Sequence, residues 1–130
     1  MKKILFVCVE NAARSQMAEA FAKKHGLNAT SAGTLPASAV NPTVVSLMRE
    51  RGIDLSSSKP KLLTAQMIEE ADLIVTMGCS VEEVCPAPLL ARMRKKALDW
   101  DLADPKGKAI EEVRKIRDEI ERKVPSLTVT

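Results

Sequence analysis

The chain is 130 residues long, and its 20 basic and 17 acidic side chains leave a net charge of only +3. This length suits one core, so we expect a single domain over residues 1–130. The small net charge and the scarcity of aromatic side chains exclude a typical nucleic-acid-binding protein, which needs a basic surface and often a stacking platform. Phe6, Phe21 and Trp100 are the only aromatic residues, so the core is predicted to be aliphatic.

The sequence also predicts the compartment. The apolar run 4–9 follows two lysines but ends at Glu10, which makes it too short for an export signal. No stretch approaches the roughly 20 apolar residues of a membrane-spanning helix. We therefore expect a cytoplasmic protein without membrane contact, in a compartment where cysteines are normally reduced and a disulfide is usually catalytic. We expect a monomer, although none of these patterns bears on the oligomeric state.

Apolar periodicity, capping residues and helix-stop residues predict the elements in chain order. They are a strand at 3–7, a helix at 15–24, a strand at 28–31, a helix from 41 or 42 to 51, a helix at 64–70, a strand at 71–77, a helix at 86–95, a strand at 97–100 and a helix at 108–123. This alternation predicts an α/β fold, a four-stranded parallel sheet with helices on both faces. The last helix should turn Ile110, Val113, Ile116 and Ile120 inward and keep its charged residues in solvent.

The most informative motif follows the first predicted strand: Cys8, five residues, then Arg14 and Ser15. Open parallel sheets bind ligands at the carboxyl ends of their strands, where this motif lies. Backbone N–H groups of such a loop can surround a tetrahedral anion, and the Arg14 guanidinium can grip two of its oxygens. The positive field of the loop and the next helix favours a Cys8 thiolate, to which Ser15 can donate. The candidate oxyanion-binding residues are Val9, Glu10, Asn11, Ala12, Ala13 and Arg14. A small buried core residue is the alternative for Cys8.

Cys79 and Cys85 form a second constellation after the third predicted strand. If the first and third strands are neighbours, Cys8 and Cys79 approach the same edge of the sheet. A disulfide needs Cα atoms about 4.4–6.8 Å apart, so a Cys79–Cys85 bond requires a looped segment rather than an intact helix. Two alternatives stay open: both are inert core residues, or a zinc site combines Cys8, Cys79 and Cys85 with His25, for which the spacing is poor.

Acidic residues follow the fourth predicted strand, at the same expected edge. A carboxylic acid there could protonate an oxygen that leaves a tetrahedral anion. Asp104 is the candidate because Pro105 holds it in an extended conformation. Asp99 and Asp101 are alternatives, and an exposed acidic loop is the plain structural interpretation of all three.

Together these motifs resemble the low-molecular-weight protein tyrosine phosphatase family. The stretches that carry the resemblance are Cys8-x5-Arg14-Ser15, Ser31-Ala32-Gly33-Thr34, Asn41-Pro42, Gly52-Ile53-Asp54-Leu55-Ser56 and Asp104-Pro105. Thr76-Met77-Gly78-Cys79 and Cys85-Pro86 are similar to its redox branch, the thioredoxin-coupled arsenate reductases.

The resemblance implies reduction of arsenate to arsenite. In that scheme the Cys8 thiolate attacks arsenic(V) held by the loop and Arg14, and Asp104 protonates the departing oxygen. Cys79 then attacks Cys8 and releases arsenite, and Cys85 attacks Cys79 to move the disulfide to an exposed position.

The same resemblance implies the ligands and partners. Phosphate or sulfate would compete with arsenate, and thioredoxin or a similar dithiol would reduce the disulfide. We expect no tightly bound cofactor. Some relatives hold a potassium ion beside the loop, for which Asn11, Glu19 and Ser31 are the candidate ligands here.

Two other functions compete with the reductase. A phosphatase would use the same loop, but phosphotyrosine enzymes of the family flank their acid with aromatic residues, whereas Lys106 follows Pro105 here. A phosphatase also has no use for Cys79 and Cys85 together. A non-catalytic oxyanion sensor would need neither Asp104 nor the relay.

Two loop residues depart from the family pattern. Glu10 replaces a common glycine, and a negative charge beside an anion site is unhelpful unless its side chain points outward. Ala13 replaces the cysteine of many relatives, which removes an off-pathway thiol.

Overall fold

The computed structural model describes residues 2–77, 97–100, 102–103 and 105–128 of the chain. Its strands are β1 (Lys3–Cys8), β2 (Asn28–Gly33), β3 (Leu73–Thr76) and β4 (Ala97–Asp99). Its helices are α1 (Arg14–Lys24), α2 (Pro42–Arg49), α3 (Ala65–Glu70) and α4 (Ile110–Lys123), with a 3₁₀ helix, Val124–Thr128, after α4. The helix predicted at 86–95 lies outside the described residues.

The four strands form one parallel sheet in the order β2-β1-β3-β4. Cys8, the last residue of β1, pairs with Gly33 of β2, and β3 lies on the other side of β1. This confirms the predicted parallel sheet and the predicted neighbourhood of the first and third strands. The segments that follow β1, β3 and β4 therefore leave the sheet at the same edge, where open α/β sheets bind ligands.

The two faces of β1 pack against different helices, as the period-2 alternation of a strand requires. Ile4, Phe6 and Cys8 join a large cluster with apolar residues of α1, α2 and α4. Leu5 and Val7 join a smaller cluster that includes residues of α3 and β3. Helices thus cover both faces, and all three aromatic residues of the chain are buried in the larger cluster.

Local sequence signals set several helix ends. The Asn41 side chain accepts a hydrogen bond from the Thr43 amide (2.9 Å) at the start of α2, and Pro42 occupies the first turn. The Thr64 hydroxyl accepts one from the Met67 amide (3.2 Å) and caps α3. In the described part of the chain, none of the helices is both long and apolar enough to cross a bilayer.

Helix α4 departs from its prediction at two positions. Val113, Ile116 and Ile120 are buried as expected, but Ile110 is 46% exposed, because it is the first residue of the helix and lies before the turn that meets the core. Arg117 belongs to the charged set expected in solvent, yet it is only 2% exposed.

A buried guanidinium needs partners, and Arg117 has them at the C-terminal end of α2. It donates to the Leu47 carbonyl (2.9 Å) and to Glu50 (2.7 Å). Hydrogen bonds from Arg114 and Arg117 hold the pKa of Glu50 well below its usual range, at about 2. These contacts fasten α4 to α2 across one face of the sheet.

Candidate active site

Cys8 ends β1 and is buried, with 4% of its surface exposed. Its Sγ lies 2.8 Å from the Ser15 hydroxyl and 3.2 Å from the Asn11 backbone nitrogen, which donates to it. Polar groups rather than apolar side chains therefore meet the sulfur atom. The local contacts therefore suit a nucleophile better than an inert core cysteine.

The N-terminus of α1 faces the loop without a side-chain cap. Ala13 occupies the N-cap position and supplies no capping hydrogen bond, and the first turn contains no acidic residue. The first amides of a helix have no partner inside the helix, and the helix dipole makes this end partly positive. An uncapped N-terminus beside a thiol is suited to binding an anion.

Asn11 lies at the centre of a buried hydrogen-bond network beneath the anion loop, which we call the floor. Its backbone adopts a left-handed conformation (φ 52°), which asparagine tolerates better than most residues, and its side chain is fully buried. Oδ1 accepts hydrogen bonds from Gln16 Nε2 (3.0 Å) and the Lys61 amide (2.9 Å). Nδ2 donates to the hydroxyls of Ser15 (2.7 Å) and Ser31 (3.0 Å). All four hydrogen-bonding positions of the amide are thus filled.

The chemistry of the partners sets the direction of each hydrogen bond. A backbone N–H can only donate, so the Lys61 amide identifies Oδ1 of Asn11 and leaves Nδ2 facing the two serines. Because Ser15 Oγ accepts from Asn11, the hydroxyl proton of Ser15 is available for Cys8 Sγ. A thiolate sulfur carries no proton and can only accept, so Ser15 is the donor of this hydrogen bond whenever Cys8 is ionised.

Glu19 extends this network toward the surface. Its Oε1 accepts from the Ser31 hydroxyl (2.6 Å) and from Lys61 Nζ (3.2 Å), and its Oε2 accepts from Lys23 (2.8 Å). Burial acts to raise the pKa of Glu19, but the hydrogen bonds from Lys23 and Ser31 and the charge of Lys61 outweigh it and lower the pKa. Glu19 is therefore a charged acceptor at neutral pH, which makes Ser31 a donor.

Gly33 allows the loop to lie close to β2. A Cβ atom at this position would lie 2.6 Å from the Val9 carbonyl oxygen and 2.9 Å from the Asn11 nitrogen, closer than real Cβ atoms approach. Both contacts are to backbone, so neither can move aside by a side-chain rotation. Glycine is required here for a packing reason rather than for its conformation.

Arg14 is 5% exposed and braces two other segments. Its Nη1 donates to the carbonyls of Met77 (2.7 Å) and Leu102 (3.1 Å). Within the described residues these hydrogen bonds use Nη1 alone, which leaves Nε and Nη2 as the atoms available to an anion. The guanidinium thus connects the anion loop to the residue that follows β3 and to the segment after β4.

A cleft of about 440 Å³ opens above the loop, lined at its base by Cys8 and Arg14. Glu10 and Lys106 both line its mouth and form an ion pair at 3.2 Å. The Glu10 side chain, 44% exposed, therefore extends to the rim and is neutralised there. The negative charge of Glu10 is therefore balanced by Lys106 and lies away from the Cys8 sulfur.

Several predicted site residues lie outside the described residues: Cys79, Cys85, Asp101 and Asp104. Their described neighbours reach the site, since Met77 contacts Arg14 and Pro105 lines the cleft. Asp99, an alternative acid, accepts a hydrogen bond from Thr76 (2.7 Å) on β3 and is not among the residues that line the cleft.

The sequence suggested two metal sites, one for zinc and one for potassium. Cys8 lies before the first turn of α1 and His25 follows its last, so about 16 Å of helix separates them and no zinc site includes both. Asn11, Glu19 and Ser31 do come together, but their side-chain groups are already matched with protein partners, and the Lys61 ammonium lies on the carboxylate. As arranged, these residues do not fit a potassium ion. Across the described segments there is no cluster of three or more His, Cys, Asp or Glu side chains arranged to hold a metal.

Sequence reasoning missed two residues of the floor. Gln16 and Lys61 both donate to Asn11, and Lys61 comes from a connection 50 residues further along the chain. Neither belongs to a motif with a chemical signature. Only the tertiary structure reveals their contacts.

Comparison with known proteins agrees with this geometry. A family model described as "Low molecular weight phosphotyrosine protein phosphatase" matches residues 3–130. A relative from Brevibacillus brevis named arsenate reductase is 37% identical over 132 residues, which cover 99% of this chain and 96% of the relative.

The YwlE arginine phosphatase from Geobacillus stearothermophilus has a similar structure, with a TM-score of 0.86, 28% identity, and coverage of 98% of this chain and 90% of that one. An arsenate reductase in the phosphate binding state gives a TM-score of 0.82 at 33% identity, covering 98% of this chain and 96% of that one.

Phosphatases and arsenate reductases thus share the architecture found here, and the fold alone does not choose between them. The choice depends on what accompanies the anion loop. In this chain two further cysteines, Cys79 and Cys85, follow the strand that neighbours β1.

Proposed function

Because the chain belongs to the low molecular weight phosphotyrosine protein phosphatase family, and within it to the arsenate reductases, we propose that it reduces arsenate to arsenite through a three-cysteine disulfide relay. The surroundings of Cys8 give the strongest support for this proposal. The buried Cys8 sulfur, with donors from Ser15 and the Asn11 amide, lies at the uncapped N-terminus of α1 in a chain with two further cysteines.

The first step is capture of the oxyanion and nucleophilic attack. The loop amides and the free edge of Arg14 bind arsenate as a tetrahedral anion. The Cys8 thiolate attacks arsenic(V), an S–As bond forms, and one oxygen leaves as water. Asp104 gives that oxygen its proton, and the neighbouring Pro105, which lines the cleft, supports this assignment.

The second step transfers the electrons. The Cys79 thiolate attacks the Cys8 sulfur, so that an S–S bond forms while the S–As bond breaks and its electron pair stays on arsenic. Arsenic(V) becomes arsenite, and two thiols have become one disulfide. Cys85 then attacks Cys79 and returns Cys8 as a thiolate.

The third step needs an external reductant. A dithiol protein such as thioredoxin returns the Cys79–Cys85 disulfide to two thiols, and the cytoplasm, where such reductants keep thiols reduced, suits this cycle. The three cysteines belong to one chain, so a monomer is sufficient. No cofactor is needed, and the ammonium of Lys61 supplies the positive charge beside Glu19 that a potassium ion would otherwise provide.

A phosphatase activity is the second candidate. The likeness to an arginine phosphatase supports it, because attack by Cys8 and protonation by Asp104 would serve a phosphate ester as well. Only the relay separates the two activities, since a phosphoenzyme is released by water and needs neither Cys79 nor Cys85.

The Cys85→Ser variant tests the relay. We expect at most one arsenite per chain, because the Cys8–Cys79 disulfide that forms cannot be passed on, and peptide mapping by mass spectrometry should find that disulfide. Cys8→Ser is the matched control and should give no arsenite and no hydrolysis of aryl phosphate. Repeated turnover by Cys85→Ser with thioredoxin present would contradict the three-cysteine scheme.

A further inference from the structure

The mouth of the cleft carries one charge of each sign. Glu10 comes from the anion loop and Lys106 from the segment that follows Asp104-Pro105, and their side chains meet at 3.2 Å. The Lys106 side chain is 74% exposed and that of Glu10 is 44% exposed. Exposed pairs of this kind are weak, so the contact between Lys106 and Glu10 costs little to exchange for a contact with another anion.

The rest of the rim offers little to an organic group. Its described lining includes Ala37, Ala39, Pro42 and Pro105, and no aromatic side chain lines the cleft among the described residues. An aryl ring of a phosphate ester would find no stacking partner there. It would also meet the charged side chains of Glu10 and Lys106, which line the same cleft.

We propose that Lys106 is a specificity-determining residue that selects free inorganic oxyanions over phosphate monoesters, with Glu10 as its resting partner. This inference rests on the proposed function and deepens it. A tetrahedral anion bound by the loop directs one oxygen toward the mouth. In arsenate that oxygen carries charge and attracts Lys106, whereas in a monoester the same position carries the organic group.

The exchange of Lys106 between Glu10 and the bound oxyanion also distinguishes substrate from product. Arsenate is an anion at neutral pH, whereas arsenite is largely an uncharged acid. Once arsenic is reduced, the oxygen that attracted Lys106 no longer carries charge, and the contact with Glu10 re-forms. The mouth therefore favours the charged substrate without retaining the neutral product.

The test uses phosphate binding, which requires no reduction. Titration calorimetry with inorganic phosphate should show about fivefold weaker binding by Lys106→Met, because one unit charge near 4 Å in water is worth about that factor. Glu10→Gln should bind phosphate more tightly by about the same factor, and the double variant should return to within about twofold of the parent. Lys108→Met, which removes an exposed lysine of the same segment that does not line the cleft, is the matched control and should bind like the parent.

Selectivity provides the second readout. The ratio of kcat/KM for p-nitrophenyl phosphate to that for arsenate should rise about fivefold in the double variant, since the organic group no longer meets the pair. Equal phosphate binding by Lys106→Met and the parent, or an unchanged ratio in the double variant, would overturn the proposal. If no variant reduces arsenate but Lys106→Met still weakens phosphate binding, the reductase assignment fails while the role of Lys106 in oxyanion binding is supported.

Discussion

At the floor of the anion loop the Asn11 side chain is fully buried and makes four hydrogen bonds, whereas at the mouth Glu10 and Lys106 meet in an exposed ion pair. Glu10 and Asn11 are adjacent in sequence, so one peptide bond separates the two environments. A buried polar group that loses its partner costs about 1–3 kcal/mol, while an exposed ion pair contributes about 0–1 kcal/mol. Rearranging the floor therefore costs more free energy than breaking the Glu10–Lys106 pair at the mouth.

This difference suggests a division of labour. The floor places the Ser15 hydroxyl beside the Cys8 sulfur and holds the loop in position, so it positions the nucleophile. The mouth determines which anion reaches that sulfur. Substitutions at the floor should therefore reduce stability and turnover together, and substitutions at the mouth should change affinity alone.

The largest effect is expected at Asn11. Asn11→Gly keeps the left-handed backbone but deletes all four side-chain hydrogen bonds, so we expect a loss of about 3 kcal/mol in the free energy of unfolding. Turnover should fall at least about 100-fold, because the loop and the Ser15 donor lose their support. Denaturant unfolding and steady-state kinetics measure the two effects.

Asn11→Asp is the matched variant, since it keeps the shape and the Oδ1 acceptor but replaces the Nδ2 donor with a second acceptor. It should also lose activity, because an ionised carboxylate can no longer donate to Ser15. Full activity in Asn11→Asp would show that the direction of these hydrogen bonds is unimportant.

A smaller effect is expected at Glu19, where the floor reaches the surface. Its pKa is lowered from 4.5, so the ionised form contributes stability that is present above pH 4.5 and is lost as the pH falls through the lower folded-state value. Glu19→Gln should cost about 1 kcal/mol at pH 7 and should unfold with a weaker acid dependence than the parent. Unfolding curves between pH 7 and pH 3 measure both, and identical acid dependence in the two proteins would refute the assignment.

The same region allows a test for potassium. Because the Lys61 ammonium already lies on Glu19, turnover should be equal in potassium and sodium chloride at the same ionic strength. A parent enzyme that is active in potassium but not in sodium would show that the ion displaces Lys61.

The smallest effect on stability is expected at the mouth. Glu10→Gln and Lys106→Met should each change the free energy of unfolding by less than about 0.5 kcal/mol, because the pair is exposed. Thermal and denaturant unfolding check this against the Asn11 variants. A loss comparable to that of Asn11→Gly would mean that the pair holds the loop together and that floor and mouth are not distinct.

Local patterns in the sequence were sufficient for much of the fold. The apolar run before Cys8 and the capping residues Asn41 and Thr64 identified elements that the structure contains. The sequence did not reveal that Arg117 is buried, because its partner Glu50 lies 67 residues away. A charged residue at a helical position is expected in solvent unless such a distant partner is known.

The same limit applies to the site. The spacing of Cys8, Arg14 and Ser15 was readable because these residues are close in the chain and their chemistry is specific. Lys106 stood out only as a substitute for an aromatic residue, since its partner Glu10 lies 96 residues away. Contacts of this range depend on how the strands are ordered in the sheet, which local patterns do not encode.

The most direct test of the account is a single exposure of the fully reduced parent protein to arsenate with no reductant present. Free thiols are counted by mass spectrometry after alkylation, and arsenite is measured by arsenic speciation. We predict that each chain loses two thiols and releases one arsenite, because oxidation of two thiols to one disulfide supplies the two electrons that reduce arsenic(V). Three intact thiols and no arsenite would contradict the reductase and leave a phosphatase as the function to test.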